Sequence, residues 1–303
     1  IMTGLSVGFA FKTGLFNIGA AGQYTLGAFG ALYCAIVLQW PWYLCLLAAM
    51  LFGALWGALP GIFKAYLNIN EVITAIMFNW IGLYMVNDIM YGKGKSPMYD
   101  LASTKTYSLR KAAPQAMIPS LGMSELFGKL QSVTIAIFIA IFFAIIVYII
   151  LNKTAFGYEL RACGFNKNAA RYAGINEKRN IILAMMISGA LAGVGAGLYY
   201  LSTVAEWNPQ VSTALPAMGF NGISTALLAC SNPIGTIFSS LFISYITVGG
   251  TKLSTQYYTK EIADVITALI IYLCAFSLLF KNKIRALLAG KAKRVSVGKG
   301  GDD

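Results

Sequence analysis

Residues 14–23 read Gly14-Leu15-Phe16-Asn17-Ile18-Gly19-Ala20-Ala21-Gly22-Gln23, which sets three glycines, an asparagine and a glutamine inside otherwise membrane-grade apolar sequence. In hydrocarbon an unsatisfied amide or backbone group costs several kcal/mol, so irregular polar sequence survives only where it is buried in protein or lines a cavity. The stretch therefore predicts a broken or re-entrant helix beside a permeation path. A helix-packing face is the alternative, since glycines at this spacing also let helices approach closely. Asn17 and Gln23 flank the glycines and are not needed for packing alone, which favours the path.

The rest of the chain puts this stretch in a membrane. Of the 303 residues, 58% are hydrophobic and only 11% charged, and mean hydropathy is +0.68. A soluble domain of this length carries far more charge. The net charge of +12 does not imply nucleic acid, because the basic residues cluster between and after apolar runs and are not interleaved with aromatics. Five cysteines (Cys34, Cys45, Cys163, Cys230 and Cys274) lack paired spacing and histidine is absent, which argues against disulfide frameworks and His-containing metal or catalytic sites. The fold class expected is all-α and polytopic, with about eight or nine crossing or re-entrant helices.

Spans are expected near 1–11 (truncated), 14–38, 42–63, 72–91, 133–151, 181–201, 215–230, 234–250 and 261–280. The first residue is Ile1, so an upstream portion is expected to precede it. Residues 152–180 carry Lys153, Arg161, Lys167, Arg171, Lys178 and Arg179, and seven Lys or Arg residues follow Phe280. Both regions are expected to be cytoplasmic. An even number of crossings must then separate them, so 215–250 crosses twice or forms two half-helices that meet at Ser231-Asn232-Pro233 on the cytoplasmic side. The same parity puts the loop 92–132 outside despite its six basic residues. Residues 1–290 are thus expected to form one transmembrane domain, followed by a basic cytoplasmic tail at 291–303.

Two further patterns stand out. Gly189, Gly193 and Gly197 recur at i, i+4 and i+8, a smooth stripe suited to close helix contact, while Tyr199, Tyr200 and Trp207 at its far end read as interfacial anchors. In the basic loop, Asn166 is placed to cap a helix of about two turns and Gly174 to end it. Such an element cannot span a membrane. It lies along the lipid surface as a solvated basic loop, or seats in a groove on a soluble partner.

Taken together, residues 14–23, the Arg161-Ala162-x-Gly164 and Ala169-Ala170-Arg171-x-x-Gly174-Ile175 pattern, and Ala226-Leu227-Leu228 followed by Asn232-Pro233-Ile234-Gly235 resemble the permease subunits of bacterial ABC importers in the branched-chain amino acid, ribose and nucleoside group. The resemblance covers nearly the whole chain, and the nucleoside and simple-sugar permeases are the most similar subgroup. It implies a multi-pass protein of the bacterial cell membrane that pairs with a second, similar permease, a cytoplasmic ABC ATPase and an extracellular substrate-binding lipoprotein. It implies no enzymatic activity and no cofactor in this chain, with ATP and Mg held by the ATPase. The absence of a Gly-rich phosphate loop ending in Gly-Lys-Ser/Thr agrees. In that frame Arg161, Gly164, Ala169, Ala170, Arg171, Tyr172 and Gly174 form the segment coupled to the ATPase. Two departures are visible: Ala21 stands where the family commonly has an acidic residue, and Ala229-Cys230 replaces a glycine, a change expected to affect only helix packing.

The expected pathway residues are Asn17 and Gln23, with Asn79 and Asn221 as companions and Phe16 and Phe220 available to stack on a base. Amides are donor and acceptor at once, which suits nucleobases and sugar hydroxyls. Because Ala21 is uncharged, a neutral hydrogen-bonding solute fits better than an ionic one. This places residues 14–23 opposite Asn221 and some distance from the coupling loop. A nucleoside is the favoured solute; a simple sugar such as ribose, a branched-chain amino acid, a secondary transporter and a structural membrane subunit are the alternatives. A secondary transporter would call for intramembrane ionisable residues and an inverted repeat, and neither is visible.

Overall fold

The computed structural model describes residues 1–91, 96–100, 102–103, 105–122, 134–208 and 214–251, with scattered positions between 262 and 273. The elements in chain order are α1 (Met2–Lys12), α2 (Ala20–Ile36), α3 (Trp42–Leu67), α4 (Glu71–Tyr91), strands β1 (Tyr99–Asp100) and β2 (Lys105–Thr106), α5 (Leu109–Ala112), α6 (Ala136–Lys153), α7 (Ala155–Phe165), α8 (Lys167–Tyr172), α9 (Glu177–Leu201), α10 (Ala217–Leu228) and α11 (Pro233–Thr251). The strands pair as a small antiparallel hairpin in the 92–132 loop, and the other elements among the described residues are helical. One compact unit runs from Ile1 to Ser240; the remainder of α11 opens a second unit, Leu241–Asp303. The expected span 261–280 and the basic tail fall largely outside the described residues.

Among the described residues, five helices (α3, α4, α6, α9 and α11) are long and apolar enough to cross a membrane. The central position belongs to α2, in which 15 of 17 residues are buried, most of them Ala, Gly or another small residue. A helix covered all round needs neighbours on every side, and small side chains let them come close. In contrast, α6 buries only Ala140, Ala144, Val147 and Leu151, one narrow stripe at helical spacing, and leaves Phe138, Phe142, Ile145 and Ile149 exposed. That pattern suits a helix with most of its circumference against lipid.

The glycine stripe on α9 packs as expected, and its partner is a second stripe on α3. Gly53 and Gly57 lie so close to α9 that a Cβ on Gly57 would sit 2.5 Å from the Met185 carbonyl oxygen, and one on Gly53 would sit 3.0 Å from the Gly193 amide nitrogen. Gly193 also meets Gly27 of α2, whose added Cβ would lie 2.9 Å from the Gly193 carbonyl. Three backbones therefore converge on one glycine.

Several expected boundaries shift. The span 14–38 is helical only from Ala20, because Gly14 takes a left-handed conformation (φ +74°) and ends α1. The span 215–230 becomes a 12-residue helix, about 18 Å long at 1.5 Å per residue. That is too short to cross about 30 Å of hydrocarbon, so the half-helix alternative holds for α10, whereas α11 is full length. The Ser231-Asn232-Pro233 turn is present, with Asn232 Oδ1 accepting the Ile234 amide at 3.0 Å to start α11. Trp207 is not an interfacial anchor. It is 4% exposed, its ring lies 5.3 Å from that of Tyr200, and its backbone pairs with Thr106 at 3.0 Å.

Candidate functional site

The chain between α1 and α2 is built by local chemistry and then fixed from outside. Gly14 is the left-handed residue just past the end of α1: its N–H donates to the Phe11 carbonyl (3.2 Å) and Leu15 N–H donates to the Ala10 carbonyl (2.9 Å). This closing pattern satisfies carbonyls that a helix end leaves open, and it wants a residue without Cβ. Phe16 then stacks on Phe11 with ring centroids 5.0 Å apart.

Asn17 is the hub of the break. Fully buried, it donates from Nδ2 to Gln23 Oε1 (2.8 Å) and Ser188 Oγ (2.6 Å), while its Oδ1 accepts Gly19 N–H (3.0 Å) and Gln23 Nε2 (3.2 Å). Ser188 Oγ in turn donates to the Ser6 carbonyl at 2.7 Å. Asn79, reaching over from α4, accepts Gly22 N–H on Oδ1 (2.7 Å) and donates to the Ile18 carbonyl (3.0 Å). Gly22 N–H is one of the donors that the first turn of α2 leaves without a partner, so Asn79 caps α2 from a neighbouring helix. Asn17, Gln23 and Asn79 thus belong to one buried network that holds the break in place, and their polar atoms face each other, the backbone and two serines.

Phe220 and Asn221 stand apart from this network, on the first turns of α10. Their helix nevertheless abuts the break, since a Cβ on Gly219 would lie 2.6 Å from the Ala21 amide nitrogen. Ala21 is 1% exposed beneath that contact. Phe220 is 40% exposed, and Asn221 is partly so.

The segment expected to couple to an ATPase comes out as two helices, α7 and α8, that meet at Asn166. Asn166 Oδ1 accepts the amides of Asn168 and Ala169, each at 3.1 Å, and α8 ends in a turn in which Gly174 (φ +80°) donates to Arg171 and Ile175 to Ala170. Both capping expectations hold, although α8 has only six residues. Phe165 and Tyr172 project almost wholly into the surroundings, at 91% and 95% exposure, and Arg171 lies between them in sequence. Arg161 lines a cavity of about 470 Å³ with Tyr158, Phe165, Asn166, Ala170 and Ile175, and its buried Nε has no hydrogen-bond partner.

The expected distance between the break and this segment is wrong. Gly164, at the end of α7, packs directly on Thr13 and Gly14; a Cβ on Gly164 would lie 2.7 Å from Gly14 N. Next to this contact, a second cavity of about 380 Å³ is walled by Gly14, Leu15, Gly164 and Asn180 and by the Lys64–Glu71 ion pair (2.8 Å). Neither glycine could carry a side chain here, so the two segments meet backbone to backbone.

A broken buried helix, held by amides and seated on a two-helix loop, is matched by a family profile over most of the chain. The branched-chain amino acid transport system / permease component family aligns with residues 1–275. This chain belongs to that family. The permease is a multi-pass protein of the cell membrane, with the apolar helices such a protein requires. It is 35% identical to the guanosine ABC transporter permease protein NupP of Bacillus subtilis over 91% of this chain and 78% of that protein. It is 34% identical to the nucleoside ABC transporter permease protein NupB of Lactococcus lactis subsp. cremoris over 99% of this chain and 82% of the other. A glucose ABC transporter permease protein, TsgB13 of Haloferax volcanii, is 27% identical over 93% and 74%. No solved structure matches the permease.

Sequence reasoning on the permease missed Ser6 and Ser188, whose signal was hydroxyls at mid-helix in apolar segments. It also missed Gly53 and Gly57, which repeat at the same i, i+4 spacing as the stripe on α9.

Proposed function

We propose that this permease is the membrane subunit of an ATP-driven importer for nucleosides, working with a second permease subunit, a separate ABC ATPase and an extracellular binding lipoprotein. The observation that carries the solute class is the similarity to a guanosine and a nucleoside permease, each at 34% identity or above over nine-tenths of the chain or more. ATP and Mg belong to the ATPase, and the permease performs no chemistry of its own.

In this reading α7 and α8 face the cytoplasm, and the exposed Phe165, Ala169, Arg171 and Tyr172 enter the groove of the ATPase, with the buried Ala170 packing α8 and Gly174 ending it. Movement of that loop is felt first at Gly14. The amide network of Asn17, Gln23 and Asn79 keeps the break intact as the helices move, while Phe16, Phe220 and Asn221 flank the solute route. Rigid-body rocking about such a contact is a known way to open one face of a carrier and close the other.

The test is uptake by the reconstituted complex of this permease with its neighbouring subunits, using labelled guanosine, uridine, glucose, ribose and leucine. ATP-dependent accumulation of the nucleosides is the expected result. Accumulation of glucose or ribose without nucleosides would favour the simple-sugar reading, which the similarity to a glucose permease keeps in view.

A further inference from the structure

The notch between α7 and α8 is built from one face of each helix. On α7, Tyr158, Arg161 and Phe165 recur at i, i+3 and i+7 and so lie along one side, while Ala170 of α8 and Ala173 just after it form the facing wall. Asn166 sits at the vertex, where its side chain accepts the Asn168 and Ala169 amides and starts α8. The Ile175 amide donates to the Ala170 carbonyl at 3.0 Å and closes the far end. The result is a cavity of about 470 Å³ with short side chains on one wall, aromatic rings on the other and a guanidinium among its lining groups.

Arg161 is the group without a counterpart. It is half-buried, its Nε is shielded from solvent with no hydrogen-bond partner, and the ion pairs among the described residues, Lys64–Glu71 and Lys105–Glu206, do not involve it. Glu159, the acid on the same helix, lies two residues away, a spacing at which side chains do not face each other. Its Oε2 instead accepts from Asn180 Nδ2 of α9 at 3.4 Å. A cation withdrawn from water without a partner loses hydration and recovers nothing, so it calls for an anion supplied from outside. The surrounding charge points the same way, since residues 152–180 hold six Lys or Arg against two Glu.

We propose that this notch is a socket for a carboxylate side chain of the ABC ATPase, an Asp or Glu that pairs with the Arg161 guanidinium beside the Tyr158 and Phe165 rings. The proposal rests on the reading that α7 and α8 meet an ATPase. Docking is then reciprocal: Arg171 and Tyr172 enter the partner, and one acid of the partner enters the permease. Arginine suits the task because its planar fork can take both oxygens of a carboxylate, and rings that exclude water strengthen the pair. A lipid phosphate is the competing anion. Cations that recognise headgroups cluster on the membrane-facing surface, whereas Arg161 is recessed between two helices, where a projecting side chain reaches it and the alanine wall leaves room.

The experiment measures the affinity of the ATPase for the assembled permease pair in lipid nanodiscs, with and without anionic lipid, for wild type, Arg161→Gln and Arg161→Lys. Arg161→Gln should weaken binding at least about tenfold in both kinds of disc, because it leaves the partner's acid unpaired in the socket. Arg161→Lys keeps the charge, loses the fork and should fall between. Thermal unfolding of each variant without ATPase should match wild type, and a clear drop would mark Arg161 as structural and overturn the socket. Each Asp and Glu on the membrane-facing surface of the ATPase is then changed to Arg in turn. One of them should restore binding to Arg161→Glu while weakening it to wild type; a scan in which none does so would overturn the proposal. Equal affinity of wild type and Arg161→Gln would overturn the socket and leave the importer reading intact. A loss confined to discs with anionic lipid would assign the notch to a lipid phosphate and overturn it equally. A wild-type pair that binds no ATPase would overturn the importer reading itself.

Discussion

Gly14 and Gly164 lie 150 positions apart in sequence and touch through their backbones, with no space between them for a single methyl group. One ends the helix before the polar break and the other closes α7 of the basic loop. Whatever displaces the loop must therefore displace Gly14 or separate from it, because a packed contact of this kind has few intermediate positions. In the reconstituted importer, Gly164→Ala is expected to leave ATP hydrolysis running while nucleoside uptake falls. Coupling free energies of about 1–3 kcal/mol correspond to losses of about 5–150-fold, which sets the size of the effect. Equal loss of hydrolysis and uptake, in a complex that still assembles, would mean that the contact is structural only.

The amide hub makes a different prediction, about stability. Asn17→Ala strips partners from Gln23, Gly19 N–H and Ser188 at once, all in a buried setting. With each orphaned group costing about 1–3 kcal/mol, a loss of about 2–4 kcal/mol is expected after local relaxation. Gln23→Ala removes only the pair it shares with Asn17 and should cost less. Thermal unfolding of the detergent-solubilised permease would rank the two, and an Asn17→Ala protein as stable as wild type would remove the hub role.

Close packing at Gly193 can be tested against a glycine that touches nothing. An added Cβ at Gly193 meets the Ala49 carbonyl of α3, where a backbone cannot step aside, whereas at Gly249 the space is open. Gly193→Ala should destabilise by about 1–3 kcal/mol through overpacking. Gly249→Ala should be neutral or stabilising by up to about 1 kcal/mol, as expected for alanine in a helix interior. Expression yield and unfolding temperature of the two variants give the comparison directly.

Much of this architecture can be read from the chain. Apolar length gives the crossing helices, glycines at i, i+4 and i+8 give a packing face, and Asn166 and Gly174 bracket α8 because caps are local signals. Partners, by contrast, are long-range. That Gly193 meets α3 and α2, that Asn79 caps α2 across 57 residues of chain, and that Gly164 rests on Gly14 all depend on how helices are arranged. The meaning of the amides changes for the same reason. A polar residue in an apolar run signals that something must satisfy it, and the sequence does not say whether that is a solute or, as for Asn17, a serine on another helix. Trp207 carries the same lesson in reverse: an aromatic at a helix end suits an interface anchor equally well until the 99–106 hairpin is found covering it.

The departure at Cys230 bears on the backbone, not only on helix packing. After α10, Cys230 N–H donates to the Leu227 carbonyl (2.9 Å) and Ser231 N–H to the Ala226 carbonyl (2.8 Å), the same closure that Gly14 makes after α1. Here the left-handed position belongs to Cys230, at φ +50°, and Ser231 follows at φ +55°. For a residue with a Cβ, the left-handed conformation costs about 1–2 kcal/mol, and glycine escapes that cost. The thiol is exposed, so nothing in the described packing offsets the strain. Cys230→Gly should therefore raise the unfolding free energy, by about 0.5–1 kcal/mol once the extra freedom of glycine in the unfolded chain is subtracted. Cys230→Val, branched at Cβ and unable to adopt the turn without strain, should lower it. Unfolding midpoints in the order glycine, cysteine, valine would confirm that the turn before Pro233 is limited by its backbone, and a reversed order would show that the thiol itself is holding the turn.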